Sequence, residues 1–243
     1  MSHPVLLRAE KLIRVGDIVG AEAALVSLVE TEGDQALVVA LDDLPAKDLL
    51  AVLRDFDSSR ESVVNLLVSP EQFARAIVLE RRYGNPSHER LHGMINSVVF
   101  RADSDPDEFI EAIGDVDGGC EALADYLSER AENVEYFFRT GTFDFFADAD
   151  ESADEMSDEE RLDTLSEAGV NRPVLSHSEV NDHDWMELAW LLRYQHPEIF
   201  RDVLLILRAR ARAEERQQAS AEVQGSAHQP RTSPGEPEEE SAL

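Results

Sequence analysis

Leu49-Leu50-Ala51-Val52-Leu53-Arg54-Asp55-Phe56-Asp57, running on through Glu61 to Leu67, decides the fold because it returns later in the chain. Leu49, Leu50, Leu53, Asp55, Asp57, Glu61 and Leu67 reappear as Phe109, Ile110, Ile113, Asp115, Asp117, Glu121 and Leu127. Each member shifts by the same step, from 109 − 49 = 60 to 127 − 67 = 60, without a gap. An ungapped echo of apolar and acidic positions predicts stacked helical units that bury one another's faces.

The surrounding pattern is helical. Leu49, Leu50, Leu53 and Val63, Leu66, Leu67 follow helical steps, as do Ile110, Ile113 and Leu123, Tyr126, Leu127. Asp55-Phe56-Asp57-Ser58 and Asp115-Val116-Asp117-Gly118 read as interhelical turns in which an Asp caps the next helix. Four helix starts carry caps, at Ser69-Pro70-Glu71-Gln72, Asp105-Pro106, Ser157-Asp158-Glu159-Glu160 and Asp184-Trp185. Each cap side chain can accept from an otherwise orphaned backbone N–H. Val38-Val39-Ala40-Leu41 is compatible with a short strand. Tyr194-Gln195-His196-Pro197 predicts the turn of another helical hairpin.

The expected fold is therefore all-α: stacked helical hairpins, solenoid-like, with a disordered C-terminal tail. The organisation read from composition is a helical-repeat domain over 1–143, an acidic linker over 144–160, a C-terminal helical segment over 161–216 that packs on the first domain, and the tail over 217–243. The linker is dense in Asp and Glu and self-repels. The tail is mostly Gln, Ser, Ala, Pro and Glu, and its apolar content cannot offset the entropy of folding.

Charge narrows the function. The 243 residues carry 51 acids against 22 bases, a formal net charge of −29. Such a surface repels phosphate backbones and anionic membranes, so nucleic acid and membrane insertion are not expected partners. It attracts basic protein segments and, diffusely, divalent cations. No stretch approaches the roughly 20 apolar residues of a membrane span, and the N-terminus lacks the apolar core of a signal peptide, which predicts a cytoplasmic protein. The single Cys120 excludes an intrachain disulfide framework.

Residues 41–79 carry a further cadence: Leu44-Pro45-Ala46-Lys47-Asp48-Leu49-Leu50, then Glu61-Ser62-Val63-Val64-Asn65-Leu66-Leu67, then Ser69-Pro70-Glu71-Gln72-Phe73. This segment resembles the cytoplasmic N-terminal superhelical domain of MgtE-type magnesium transporters. The resemblance implies a right-handed stack of short helices serving as a regulatory or docking module. The chain departs from those transporters in having no transmembrane segment, so transport is not implied, and no family metal ligand maps onto it.

Three clusters offer chemistry. His88-Glu89-Arg90-Leu91-His92 is a literal H-E-x-x-H, able on a helix to hold one Zn²⁺ while Glu89 acts on bound water, with Glu111 as a possible third ligand. It lies near a helix start at Asn85-Pro86, carries Arg90 between the ligands, and has no sheet to present substrate. Asp148, Asp150, Ser152, Asp154 and Glu159 occupy calcium-loop positions, but Ala153 stands where the sharp turn needs glycine. His177, Asp182, His183 and Asp184 mix metal-ligating types just before a helix, where Asp and Asn serve as caps. Tyr136, Phe137, Phe138, Phe143, Phe145 and Phe146 form the densest apolar patch, a core seam or a partner groove. Arg208, Arg210 and Arg212 form a basic strip able to pair with the acidic linker.

These readings assign no catalytic residue, no cofactor and no metal. The expected function is a non-enzymatic cytoplasmic protein-interaction or regulatory scaffold that binds a basic or amphipathic protein segment. A zinc-dependent hydrolase using His88, Glu89 and His92, and a divalent-cation (Mg or Ca) sensing module, stand as alternatives.

Overall fold

The computed structural model describes residues 3–54, 62–84, 88–101, 104–145, 156–167, 169–182 and 184–226. They form α1 (Pro4–Arg14), α2 (Ile18–Glu32), α3 (Asp34–Asp43), α4 (Ala46–Arg54), α5 (Val63–Leu67), α6 (Pro70–Tyr83) and α7 (Glu89–Val98). These are followed by α8 (Pro106–Asp115), α9 (Gly119–Leu127), α10 (Ala131–Thr140), α11 (Asp158–Asp163), α12 (Trp185–Tyr194) and α13 (Pro197–Ser226). Short 3₁₀ turns occupy Ser128–Arg130 and His177–Glu179. No strand occurs among the described residues, and Val38–Leu41 lies within α3 rather than in a strand.

All four predicted caps are made. Ser69 and Gln72 form a reciprocal capping box on α6, and Ser157 and Glu160 do the same on α11. Asp105 accepts from the N–H of Asp107 at 3.1 Å, and Asp184 from that of Met186 at 2.8 Å. The α8–α9 turn differs from expectation. Gly118, at φ 91°, reverses the chain, and no Asp side chain caps α9. The matching turn around Asp55–Ser58 lies outside the described residues.

The chain divides into two units, Met1–Leu207 and Arg208–Leu243. The first is built in two layers. Helices α2, α4, α6 and α8 pack in succession, and α3, α5, α7 and α9 pack in succession beside them. Within each pair the partners touch, so α2/α3, α4/α5, α6/α7 and α8/α9 are four hairpins in a row. Helices α5, α7 and α9 also reach back to α2, α4 and α6 of the preceding hairpin. No hairpin can bury its apolar face alone, and the stack supplies the missing cover.

This explains the sixty-residue echo. It links α4/α5 with α8/α9, two hairpins apart, and skips α6/α7 between them. Its apolar members do the same work in both copies: Leu49, Leu50 and Leu53 are buried on α4, as Phe109, Ile110 and Ile113 are on α8. Leu127 is buried while Leu67 is only half-buried. Helix α6 lies between α4 and α8 and buries Phe73, Ala74, Ala76, Ile77 and Val78. Truncating Phe73 to alanine there costs about 3–5 kcal/mol.

The last part of the first unit is joined by aromatic residues and one buried cation. Phe137 stacks on Phe143 at 4.1 Å between centroids, Phe143 meets Trp185 edge-on at 5.4 Å, and Phe138 lies 6.4 Å from Phe200. His196 Nε2 and Asp107 Oδ1, 3.1 Å apart, tie the α12–α13 turn to the start of α8. In the second unit α13 carries on to Ser226, beyond Gln217 where composition places the start of the tail. Residues 227–243 lie outside the described part.

Candidate functional site

The stacking of α6 on α8 leaves a cleft of about 590 Å³ on one side of the contact. The rings of Phe73 and Phe109 meet edge to face at 5.7 Å and hold the two helices together. Small residues at Ala74 on α6 and Ala112 on α8 keep the cleft open, and Pro70 and Val116 complete its apolar lining. Glu71, Glu108, Glu111 and Asp115 supply the polar lining, with Arg75 as the cation among them. All five charged residues are exposed. Periodicity places them there: Phe109, Ile110 and Ile113 turn into the stack, which sends Glu108, Glu111 and Asp115 to the open side.

A smaller cleft of about 220 Å³ continues between α4 and α6 and shares Glu71 and Arg75 with the first. Asp42, Leu44, Ala46, Leu49, Ser69 and Gln72 complete its lining. Its rim is fixed by polar contacts. Gln72 Nε2 donates to Asp42 Oδ1 at 2.7 Å, Gln72 Oε1 accepts from the Ser69 N–H at 3.1 Å, and Ser69 Oγ donates to Glu71 at 3.0 Å. The two clefts form one acidic track across three successive helices of a single layer, with carboxylates to meet cations and alanine, proline and valine surfaces to meet apolar groups.

The residues singled out in the sequence fall elsewhere. His88 is the residue before α7, in the left-handed conformation at φ 53°, and makes no cap bond. His92 is half-buried with its ring 4.6 Å from that of Tyr126, and its Nε2 is buried without a hydrogen-bond partner. Burial lowers its pKa, and His88 adds to this; Glu129 and a backbone bond involving Asp125 oppose it. Glu89 is exposed, and Glu111 lines the α6–α8 cleft. No group of three His, Cys, Asp or Glu side chains among the described residues is placed to hold a metal ion. Asp148, Asp150, Ser152 and Asp154 of the calcium-loop frame lie outside the described residues, and Glu159 is exposed on α11.

Asp184 is a cap, accepting from the N–H groups of Met186 and Glu187. His177 stacks on Trp190 and meets the buried Glu187 carboxylate at 3.0 Å. Asp182 is exposed, and His183 lies outside the described residues. Among the aromatic residues, Phe137 and Phe138 are fully buried and make the seam of the first unit, while Phe146 lies outside the described part. Arg208, Arg210 and Arg212 lie on the second unit's stretch of α13, and most of the acidic linker lies outside the described residues. Cys120 is half-buried, and burial is the main cause that pushes its thiol up to about 11.

No protein-family model matches the chain, and neither a curated protein nor a solved structure shows significant similarity to it. No helix among the described residues is long and apolar enough to cross a membrane.

Sequence reading missed Glu71, Arg75, Glu108 and Asp115 as a set. They come from helices more than twenty residues apart, and only the stack brings them together. The one available signal was that the acidic positions of the echo recur at constant spacing from its apolar ones.

Proposed function

We propose that this protein is a non-enzymatic cytoplasmic scaffold that binds a basic or amphipathic protein segment along the track formed by α4, α6 and α8. The observation that carries the reading is the α6–α8 cleft, where four exposed carboxylates flank a lining of small apolar residues. Stacked hairpins commonly present such extended surfaces to peptides. The cleft suits a few side chains of a partner, not a whole helix. Lysine or arginine heads meet Glu108, Glu111 and Asp115, and an apolar side chain lies over Ala112 and Val116. The resemblance of residues 41–79 to a transporter's regulatory domain accords with docking, and so does the net charge of −29.

Fluorescence anisotropy with a labelled amphipathic peptide of alternating arginine and leucine tests the reading. Affinity should fall steeply between 50 and 200 mM salt, because exposed ion pairs are screened. Replacing Glu111 and Asp115 together by lysine should weaken binding by at least about tenfold, since two attractive contacts become repulsive. Equal affinity in the charge-reversed protein overturns the reading.

A further inference from the structure

Helix α1 opens the stack and packs mainly on α2. Leu6 and Ala9 are buried there, and Leu12 and Ile13 are half-buried. Pro4, Leu7, Arg8, Lys11, Arg14 and Val15 are all exposed. The helical period places these six within an arc of roughly 120°, so they form one outward face.

The terminal helix of a helical stack usually turns a polar face to water. Here Leu7 is 56 % exposed and Val15 72 %. The charge of this face is also unusual. Arg8, Lys11 and Arg14 stand against Glu10, the one acid of the helix, in a chain whose acids outnumber its bases 51 to 22. Glu10 is half-buried and lies 3.6 Å from Arg14. Among the described residues neither Arg8 nor Lys11 has a hydrogen-bond or ion-pair partner. Asp17, in the turn after α1, is taken up as the cap of α2 and accepts from the Gly20 N–H at 2.9 Å.

The acidic track matches this face in sign and in spacing. Glu108, Glu111 and Asp115 stand at the α6–α8 cleft and Asp42 at the α4–α6 cleft, with Glu71 and Arg75 shared by both. Helices packed side by side lie about 8–10 Å apart, which sets the distance from one cleft to the next. Leu7 and Arg14 are two helical turns apart on α1, about 10 Å along its axis. One face of α1 therefore reaches both clefts at once.

We propose that α1 of one copy docks on the acidic track of a second copy, a contact that depends on the track's being a docking surface for basic segments. Leu7 lies over Ala112 and Val116, Arg8 and Lys11 meet Glu108, Glu111 and Asp115, and Arg14 meets Asp42 and Glu71. The two surfaces differ, so the contact is heterologous. One helix face on two clefts is a small interface, and the complex is transient. The net charge of −29 on each copy opposes it at low salt. At about 0.15 M salt the Debye length is about 8 Å, which screens the distant charges and spares those in contact.

Sedimentation equilibrium of the full chain in about 0.15 M salt tests this. The weight-average mass should rise with concentration between micromolar and millimolar. Arg8→Glu with Lys11→Glu should weaken the association at least about tenfold, and so should Glu111→Lys with Asp115→Lys. All four positions are exposed, so both variants should fold, which circular dichroism checks. An equal mixture of the two variants should associate again, because each offers the other a face of opposite charge. A monomeric wild type, a variant that associates as the wild type does, or a mixture that stays monomeric overturns the proposal. If the wild type is monomeric but still binds the arginine–leucine peptide, the track keeps its docking role with another basic protein as occupant. If the peptide also fails to bind, both readings fall.

Discussion

Asn65 is the position where a substitution should reverse the usual sign. It is 4 % exposed on α5, and both its side-chain oxygen and its side-chain nitrogen are buried without a hydrogen-bond partner. A buried amide normally loses about 1–3 kcal/mol on truncation, because its partner is stranded. Here no partner exists to strand, so Asn65→Ala removes the desolvation cost of the amide, about 1–3 kcal/mol. The substitution adds about 0.5 kcal/mol of helix preference. Against this stands a void of roughly 25–30 Å³, worth about 0.7 kcal/mol at ~24 cal/mol per Å³. The backbone contacts of residue 65, its N–H to Ser62 Oγ and its carbonyl oxygen to Arg101, do not involve the side chain and survive. The net is a gain of about 1–3 kcal/mol, or a rise in Tm of roughly 2–12 °C for a chain of this size.

A control lies sixty positions on. Asp125 is also buried, and pairs with Arg81 at 2.8 Å. Asp125→Ala should therefore destabilise by about 2–4 kcal/mol, less than for a fully buried pair because Arg81 is partly exposed. Urea unfolding followed by circular dichroism at 222 nm gives both numbers. A loss of 1 kcal/mol or more in Asn65→Ala would refute the reasoning, since it would mean that the amide has a partner.

Three further outcomes follow from named contacts. The Cys120 thiol, raised to about 11 by burial and then by Asp202 and Glu121, should react with a disulfide reagent at pH 8 roughly a hundredfold more slowly than free cysteine. A comparable rate would show that the thiol is open. A Cβ on Gly114 would sit 2.3 Å from Ile199 Cδ1, so Gly114→Ala should cost about 1–3 kcal/mol. The new Cβ would also lie 2.7 Å from Ile199 Cγ1, so Ile199→Ala, which removes both atoms, should recover much of that cost in the double variant, and additive losses in the four-member cycle would rule the clash out. The His92 pKa is lowered by burial, so the unfolded chain, titrating near ~6.5, takes up the proton first. Its stabilising contribution is complete above about pH 6.5 and is lost as pH falls toward the lower folded value. His92→Phe should flatten the stability curve below about pH 6.5, and an unchanged slope there would assign the effect to other groups.

Helical hairpins could be read from the sequence where an apolar stripe faces one neighbour only. Leu49, Leu50 and Leu53, and their echo at Phe109, Ile110 and Ile113, show the helical spacing plainly. Helix α6 is buried on several sides, with Phe73, Ala74, Ala76, Ile77 and Val78 all covered, so its stripe is broad and its place between α4 and α8 left no periodic signature. Caps were legible because they depend on three or four adjacent residues. The acidic track was not, because it needs side chains from separate helices. His88-Glu89-x-x-His92 shows the converse. Its spacing suits zinc, but the chain enters α7 through a left-handed His88, and His92 lies against Tyr126.

The central claim is that the α4–α6–α8 track holds a basic segment. The most direct test is an NMR titration of the methyl-labelled protein with the arginine–leucine peptide. The account predicts that the largest shifts fall on Ala74, Ala112 and Val116, and that they vanish in the Glu111→Lys, Asp115→Lys protein. Shifts centred on other helices, or shifts that survive the charge reversal, would contradict it.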